Sequence, residues 1–345
     1  MKKIRPELLV CVIFIILFIY TGEGHAQNQK LNFLADSFKK VRIIINQSYE
    51  NCRPEEINLP IDDISVRLFN YAGVDVVSPD ALDYDGTIKI KIEGKAEGTY
   101  YYPAGYLYTG AYLAGKISLE SKNITIFEKK FEVYINTPSL TSVTWNPLRP
   151  CDAPFARAFY LSGSVISKLL EIIYDVYGIN ALISALKETN TDIQNMVIEA
   201  LVNIGKPAAE PLIAALYADD LNVKKGSIDA LGKLGDNQAV EDIILALNEE
   251  DSGIRWRAAR ALGNFQDKRA VEPLIAKLTD ENKIVRWYAA KSLGDIRDLR
   301  AIDPLTAILK DEDPGVQYYA KESLKKINGI NLNKITEIEI RERYQ

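Results

Sequence analysis

Carboxylates are the most plentiful side chains in this sequence that could do acid–base chemistry or bind a metal, because histidine and cysteine are scarce. Histidine occurs once, at position 25, and cysteine three times. Acidic residues cluster at Asp219-Asp220, Glu249-Glu250-Asp251 and Asp311-Glu312-Asp313. Their spacing matches no EF-hand calcium loop, and no glycine-rich phosphate-binding motif follows a predicted strand. We therefore interpret these carboxylates as solvated turn residues and helix N-caps, and we predict no catalytic residue and no metal site.

The first 26 residues have the pattern of a secretory signal peptide. Lys2, Lys3 and Arg5 form a basic start, Leu8 to Tyr20 is apolar, and Gly24-His25-Ala26 offers small residues for cleavage. The apolar stretch is shorter than the roughly 20 residues that a membrane span needs. The sequence thus predicts cleavage after Ala26, a periplasmic or secreted protein, and no membrane span after cleavage. An uncleaved N-terminal anchor is the alternative.

Cleavage at this point would remove the only histidine of the chain. It would also remove three basic and two acidic residues, so that the formal net charge of −5 becomes −6. Without histidine, no Ser-His-Asp or Cys-His arrangement and no histidine-containing zinc site can form. An acidic balance also argues against a nucleic-acid-binding protein, which carries a basic excess. We expect no cofactor and no nucleic-acid partner.

Two cysteines, Cys52 and Cys151, remain after cleavage and lie far apart in the sequence. In an oxidising compartment such a pair predicts a disulfide. This bridge would be structural, since it closes a loop of about 100 residues. Two separate buried thiols are the alternative.

Residues 27–152 are predicted to form a β-rich domain. Thr87 to Glu93 alternates apolar and polar residues strictly, as expected of a strand with one buried face. Other short runs rich in β-branched or aromatic residues predict further strands; these are Val41–Ile45, Ile64–Leu68, Val74–Val77, Tyr106–Leu119 and Ile124–Tyr134. We predict an antiparallel sheet or sandwich. The tyrosines at 100, 101, 102, 106, 108 and 112 suit either cross-strand packing or a binding face.

A repeat of about 31 residues fills the region after this domain. Four units open with Asn222-Val223-Lys224, Gly253-Ile254-Arg255, Ile284-Val285-Arg286 and Gly315-Val316-Gln317. Self-similarity at such a period indicates a solenoid of helix pairs, since one pair cannot bury its own apolar face. The sequence predicts an all-α solenoid over residues 153–328 and a charged tail over 329–345, and so an α+β protein of two domains.

The units resemble HEAT-like repeats of the phycobilisome-lyase type. The motif is Val-Arg-x-x-Ala-Ala-x-x-Leu-Gly followed by Ala-Val-Glu-Pro-Leu-Ile, and Gly253 to Leu278 matches it best. The resemblance covers about residues 178–327 and implies the fold rather than the function. Related proteins include chromophore lyases, scaffolds and a di-iron hydroxylase. Because imidazole is a natural ligand of such iron, a mature chain without histidine does not fit the hydroxylase.

The helical period places eight polar and aromatic residues on one side of successive helices. Val285, Ala289, Leu293 and Ile296 form the apolar stripe of one unit. Residues of three neighbouring units lie on the opposite side, and we call this set the aromatic ribbon: Trp256, Arg257, Arg260, Trp287, Tyr288, Lys291, Tyr318 and Tyr319. Since Trp, Tyr and Arg are enriched at binding hot spots, we predict that the ribbon binds a partner. Related repeat proteins turn this face inward, onto the concave surface.

One alternative concerns three residues of the ribbon, and a separate expectation concerns three basic residues beside it. Trp256, Trp287 and Tyr318 are also suited to pack against the adjacent repeat or the β-domain. Lys224, Arg255 and Arg286 lie beside the core valine positions, where a ladder of ion pairs with turn carboxylates is expected to add little stability for each exposed pair.

The function most consistent with these patterns is an extracytoplasmic scaffold, without catalysis, that binds a protein or peptide on the concave solenoid face. A lyase-like protein that holds a chromophore or small ligand is the first alternative. Glycan or cell-envelope binding through the tyrosine-rich sheet is the second.

Overall fold

A computed structural model describes residues 37–50, 61–101, 105–121, 124–136 and 164–328. Its contacts divide the chain into two units, Met1–Ala181 and Leu182–Gln345. The predicted fold class, a β-sheet domain followed by a helical-repeat solenoid, is confirmed. The predicted signal peptide, the boundary at 152/153, both cysteines of the predicted disulfide and the charged tail lie outside the described residues.

The first unit is built on one five-stranded sheet with the order β2-β1-β3-β4-β5. Its strands are β1 Lys40–Glu50, β2 Asp75–Val77, β3 Gly86–Tyr101, β4 Gly105–Ser121 and β5 Ile124–Asn136. Strand β1 pairs in parallel with both β2 and β3, whereas β3–β4 and β4–β5 are antiparallel. The sheet is therefore mixed, and the prediction of a wholly antiparallel sheet is wrong.

The reason for this mixed pairing is a helix where the sequence predicted a strand. Residues Ile61–Tyr71 form helix α1, which connects β1 to β2. The buried residues Ile61, Ile64, Ser65, Leu68 and Phe69 recur at the three- and four-residue spacing of one helix face. A helical crossover brings the chain back in the same direction, so β1 and β2 run parallel.

The two faces of the sheet differ in polarity, which explains why the described residues form one sheet rather than a sandwich. Ile88, Ile90, Ile117 and Leu119 are buried on one face. The other face carries ion pairs, including Lys116 with Glu128 at 2.9 Å. Charged side chains of this kind remain solvated, so the described part of that face offers little apolar surface for a second sheet to cover.

A long helix, α2 Ser164–Ser184, packs on the apolar face of this sheet with its first part. The Tyr177 hydroxyl donates to the Phe38 carbonyl oxygen at 3.0 Å, and Lys129 Nζ lies 3.1 Å from an oxygen of Asp175. Gly178 interrupts the helix with φ 83°. In the described part of the chain, the segment Val165–Lys187 is long and apolar enough to cross a membrane. Half of its most apolar stretch is buried in the protein, as in a core helix.

The second unit consists of helix pairs that repeat at the predicted spacing. The first helices of the pairs are α3 Thr191–Ile204, α5 Leu221–Leu234, α7 Ser252–Phe265, α9 Lys283–Ile296 and α11 Pro314–Asn328. The shorter second helices are α4 Ala209–Ala215, α6 Val240–Ala246, α8 Val271–Ala276 and α10 Ile302–Ala307.

Turn carboxylates begin α5, α7 and α11, as the sequence predicted, whereas asparagines begin α3 and α9. Asp220 accepts hydrogen bonds from the backbone N–H groups of Asn222 and Val223, and Asp251 accepts one from Ile254. Such caps satisfy backbone donors that have no partner within the helix. The predicted core stripe from Val285 to Ile296 is buried.

Neighbouring first helices pack closely because small residues line their contact. A Cβ atom added to Gly263 would lie 2.5 Å from Ser292 Oγ and 3.0 Å from its Cα. Ser292 Oγ in turn donates to the Ala259 carbonyl oxygen at 2.7 Å. Only glycine allows this separation of α7 and α9.

The last helix differs at the positions that interior helices use for this packing. Ala259 and Ala290 correspond to Lys321, and Gly263 and Gly294 correspond to Lys325. Both lysines of α11 are exposed. Long charged side chains at these positions are unsuited to the close packing between interior helices, and α11 is the last helix of the array among the described residues.

Candidate partner-binding face

All eight residues of the aromatic ribbon lie on three consecutive first helices. Trp256, Arg257 and Arg260 are on α7, Trp287, Tyr288 and Lys291 are on α9, and Tyr318 and Tyr319 are on α11. Tyr318 is 58% exposed, and the other seven are partly exposed. The structure thus brings the predicted residues together along one face of the array.

Aromatic rings of the ribbon contact one another across the repeat boundaries. Trp256 stacks on Tyr288 with centroids 5.2 Å apart and planes 19° apart. Trp287 meets Tyr319 at 6.2 Å, and Tyr318 meets Tyr319 edge-on at 5.3 Å. Packing between adjacent repeats therefore does occur. It leaves the rings partly exposed, and it holds them in fixed positions.

The guanidinium groups of two arginines lie against the ring of Trp256, the first aromatic residue of the ribbon. The Arg257 guanidinium lies 4.1 Å from the Trp256 ring centroid, and that of Arg260 lies 5.1 Å from the same centroid and 6.0 Å from that of Tyr288. Cations at these distances are attracted by the negative face of the ring. The two guanidinium groups are thereby held against the aromatic surface.

Asp229 on α5 fixes both arginines, a role that the sequence analysis did not assign. Its carboxylate accepts from Arg257 Nε at 3.1 Å and from Arg260 Nη2 at 2.6 Å. Asp229 and Arg260 occupy equivalent positions of neighbouring repeats and have opposite charges, which is the signal in the sequence for this contact. Since two cations share one anion, this part of the ribbon keeps an excess positive charge.

Elsewhere along the face, cations and carboxylates are more evenly matched. Lys291 and Lys326 both donate to Asp295, at 2.9 and 2.7 Å. Burial alone would raise the pKa of Asp295, but the hydrogen bonds from these lysines outweigh it and hold the pKa below its usual value. Asp295 is therefore ionised at neutral pH.

The indole of Trp287 has a partner of its own. Its Nε1 donates to Asp313 Oδ1 at 2.7 Å. This hydrogen bond, together with one from Lys283 and those from backbone N–H groups, lowers the pKa of Asp313. Asp313 also begins helix α11 by accepting from the Gly315 N–H at 2.9 Å. One carboxylate thus links the ribbon to the start of the next helix.

The predicted ladder of ion pairs is present, but its arginines are buried rather than exposed. Arg255 and Arg286 are 6% and 7% exposed. Arg286 Nη2 donates to Asp311 at 2.9 Å, and Lys224 Nζ donates to Glu249 at 3.1 Å. Because burial reduces solvent screening, the expectation of little stability for each exposed pair does not apply to the two arginines.

Other features of the second unit lie apart from the ribbon. A cavity of about 450 Å³ opens near the ends of α3 and α5; it is lined by Val202, Gly205, Lys206, Ala209, Lys233, Leu234 and Asp236. Among the described residues, no group of three or more His, Cys, Asp or Glu side chains is placed to hold a metal ion.

The model of the HEAT-repeat family matches residues 179–252 and 240–325. Residues 179–325 thus consist of HEAT repeats. The matched range agrees with the predicted resemblance over about 178–327, and it includes all eight residues of the ribbon. No curated protein matches this chain significantly.

Several solved structures are similar to the HEAT repeats. The phycocyanin lyase complex of CpcE and CpcF from Nostoc sp. PCC7120 is 21% identical, with 42% of this chain and 96% of that chain covered and a TM-score of 0.40. A designed armadillo repeat protein in complex with the peptide (KR)4 is 16% identical over 49% and 91%, with a TM-score of 0.36. Human deoxyhypusine hydroxylase in complex with glycerol is 19% identical over 52% and 84%, with a TM-score of 0.29.

Proposed function

We propose that this HEAT-repeat protein is an extracytoplasmic scaffold that binds a protein or peptide partner through the aromatic ribbon and carries out no catalysis. The observation behind the proposal is the aromatic strip that runs across three repeats, flanked by Arg257 and Arg260 and ending in the exposed Tyr318. Aromatic and arginine side chains supply much of the energy at protein interfaces.

The tryptophan rings of the ribbon are held in place before a partner binds, which favours binding. Trp256 is held by Tyr288 and by two guanidinium groups, and Trp287 is held by Asp313. Side chains that are already fixed lose little conformational entropy when a partner binds. The ribbon thus offers contact area at low entropic cost.

The close packing of first helices supports a concave position for the ribbon. In a curved stack of repeats the inner layer of helices has the smaller spacing. Gly232 approaches Ala261, and Gly263 approaches Ser292, at distances that exclude a methyl group. We therefore assign the first helices to the inner layer, where a partner segment would be enclosed on more than one side.

The electrostatics of the ribbon favour binding over acid–base chemistry. A general acid or base works best with a pKa near the working pH. The pKa values of Asp295 and Asp313 are shifted in the opposite direction, below the usual carboxylate range. These groups serve to hold lysine and tryptophan side chains in place.

The extracytoplasmic location follows from the signal-peptide pattern of the first 26 residues. Fractionation of cells that express the full chain, followed by mass spectrometry of the N-terminal peptide, tests it. A mature chain that begins at Gln27 in the periplasm or medium is expected. A chain that keeps Met1 in the cytoplasm would contradict this part of the proposal.

Capture of partners from envelope or secreted extract tests the binding face. Tyr318→Ala is expected to lose the partner without loss of stability, because Tyr318 is 58% exposed. Tyr217→Ala is the matched control, since Tyr217 is 64% exposed and lies beyond the second helix α4, outside the ribbon. Circular dichroism establishes that both variants fold. Equal retention of the partner by both variants would rule the ribbon out.

A further inference from the structure

Two tryptophans at equivalent positions of neighbouring repeats differ in the contacts of their indole N–H groups. Trp287 Nε1 donates to Asp313. One repeat earlier, the position of Asp313 is occupied by Asn282, whose Oδ1 accepts from the Ile284 N–H at 2.9 Å. Within the described residues, Trp256 Nε1 has no hydrogen-bond acceptor.

The arginines beside Trp256 also have donors to spare. Arg260 uses only Nη2, which donates to Asp229, so its Nε and Nη1 have no partner in the described part of the chain. Arg257 donates through Nε to Asp229 and through Nη1 to the Gly253 carbonyl oxygen, which leaves Nη2. Both carboxylate oxygens of Asp229 are already engaged.

The surface around Trp256 is therefore rich in donors and poor in acceptors, with two positive charges against one negative charge. Its complement is an anionic group with two acceptor oxygens. A guanidinium fork binds a carboxylate through two parallel hydrogen bonds. The side chain of Arg260 is 36% exposed, so a ligand can reach it.

We propose that the patch of Trp256, Arg257, Arg260 and Tyr288 binds the side-chain carboxylate of an aspartate or glutamate in a partner peptide. This inference rests on the proposed function, because it assigns the chemistry of one position within the ribbon. The source is a side chain rather than a peptide C-terminus, because the same helix face continues on both sides of Trp256, to Lys225 on α5 and to Trp287 on α9. A bound segment passes over the patch.

The equivalence of Asn282 and Asp313 supplies a direct test. Asn282→Asp would place a carboxylate equivalent to Asp313 next to the Trp256 indole, and it would keep a side chain suited to cap α9. Arg260→Lys would keep the charge and remove the fork. Both variants are expected to fold and to lose the preference for a carboxylate. Arg300→Lys is the matched control, since Arg300 is 47% exposed and lies outside the ribbon.

The probe is a library of random 12-residue peptides displayed on phage, selected on the full chain and then resynthesised in pairs with Glu→Gln or Asp→Asn changes. With the wild-type protein the amide peptide is expected to bind about tenfold more weakly, as for the loss of a charge-assisted hydrogen bond. With Arg260→Lys or Asn282→Asp the difference within each pair should shrink to about twofold or less. Arg300→Lys should behave as the wild type.

The other outcomes separate this inference from the proposed function. Peptides that need Tyr318 but show no preference for a carboxylate would overturn the inference and leave the binding role of the ribbon intact. Peptides that tolerate both Tyr318→Ala and Arg260→Lys, or a selection that enriches nothing, would overturn both.

Discussion

Arg255 donates two parallel hydrogen bonds to Asp280, from Nε to Oδ2 at 2.9 Å and from Nη2 to Oδ1 at 3.0 Å. Its third nitrogen, Nη1, donates to the carbonyl oxygens of Glu249 and Glu250. Glu249 and Glu250 precede α7, which carries Arg255, and Asp280 precedes α9. One guanidinium thus joins two successive turns of the array, and Arg286 does the same one repeat later.

Replacement of this arginine tests its structural role. Arg255→Gln is expected to lower the free energy of unfolding by about 2–3 kcal/mol, because Asp280 would stay buried without its cation. Glutamine is chosen because Gln317 occupies the equivalent position of α11 and donates to the Asp311 carbonyl oxygen at 2.7 Å. Urea unfolding followed by circular dichroism measures the change.

The control for this prediction is Arg300→Gln, at an exposed ion pair with Glu272. Exposed pairs contribute about 0–1 kcal/mol, so the control should change stability little. Equal effects of the two substitutions would show that burial gives Arg255 no special role.

Below about pH 8, stability should depend on pH only in the acid range. Burial alone would raise the pKa of Asp280, but hydrogen bonds from Arg255 and the Asn282 N–H lower it. Such a carboxylate stabilises the fold fully above its unfolded pKa, about 3.9, and loses this contribution as pH falls through the lower folded value. Beyond position 25 the chain has no histidine, so we expect a constant free energy of unfolding between about pH 5 and 8 and a steep fall below about pH 4.

The acid-range prediction is checked by urea unfolding over a pH series with the wild type and Asp280→Asn. The variant should be less stable at neutral pH and should lose less stability on acidification. A variant whose pH profile runs parallel to that of the wild type would assign the acid sensitivity to other carboxylates.

The approach of α7 to α9 predicts an unusual response to Gly263→Ala. Alanine is the better helix former by about 1 kcal/mol, yet its Cβ would meet Ser292 Oγ at 2.5 Å. We expect a net destabilisation of about 1–3 kcal/mol, measured as a shift of the thermal unfolding midpoint. A rise in that midpoint would show that the helices separate at little cost. Combining Gly263→Ala with Ser292→Ala should cost less than the sum of the two single changes.

The lysines at the end of the array predict a change in assembly rather than in folding. Lys321→Ala with Lys325→Gly would give α11 the small residues that interior helices use for packing. We expect this double variant to self-associate, which light scattering after size-exclusion chromatography would detect. Lys310→Ala is a control on the turn after α10. A variant that elutes as the wild type does would show that these lysines are not what ends the stack.

The sequence predicted the repeats well because each unit carries the same pattern. The core valines, the N-cap carboxylates and the face that holds Trp256 and Trp287 all follow from a fixed period and a helical wheel. Helix α1 does not follow from this approach, because Ile64 to Leu68 alone has the pattern of a short strand. The spacing of Ile61, Ile64 and Leu68, with Asp62 and Asp63 in the first turn, was a helical signal.

Features that depend on two distant segments could not be predicted in this way. The parallel pairing of β1 with β3 is set by a non-local crossover, which leaves no local pattern. The hydrogen bonds from Arg257 and Arg260 to Asp229 depend on the separation of α5 from α7, which only the packed structure provides. The burial of Arg255 likewise results from how closely the turns approach.

Among the described residues, the ion pairs that join successive turns of the array are absent at the first repeat, so the repeats differ in how strongly they are coupled to their neighbours. At the first repeat the position of Arg255 is held by Gln194, which donates to the carbonyl oxygens of Leu186 and Glu188, in the turn before its own helix. Val202 takes the place of Gly232 there, next to the cavity near α3 and α5. Nearest-neighbour coupling decides how a solenoid unfolds.

Amide hydrogen exchange should therefore be faster in α3 than in the helices from α5 to α11. The three interfaces that carry a cationic link, from α5 to α11, would then open as one cooperative block, and this block contains the whole ribbon. A ligand that spans the ribbon would therefore bind helices that open only together, while the amides of α3 at the start of the array exchange faster.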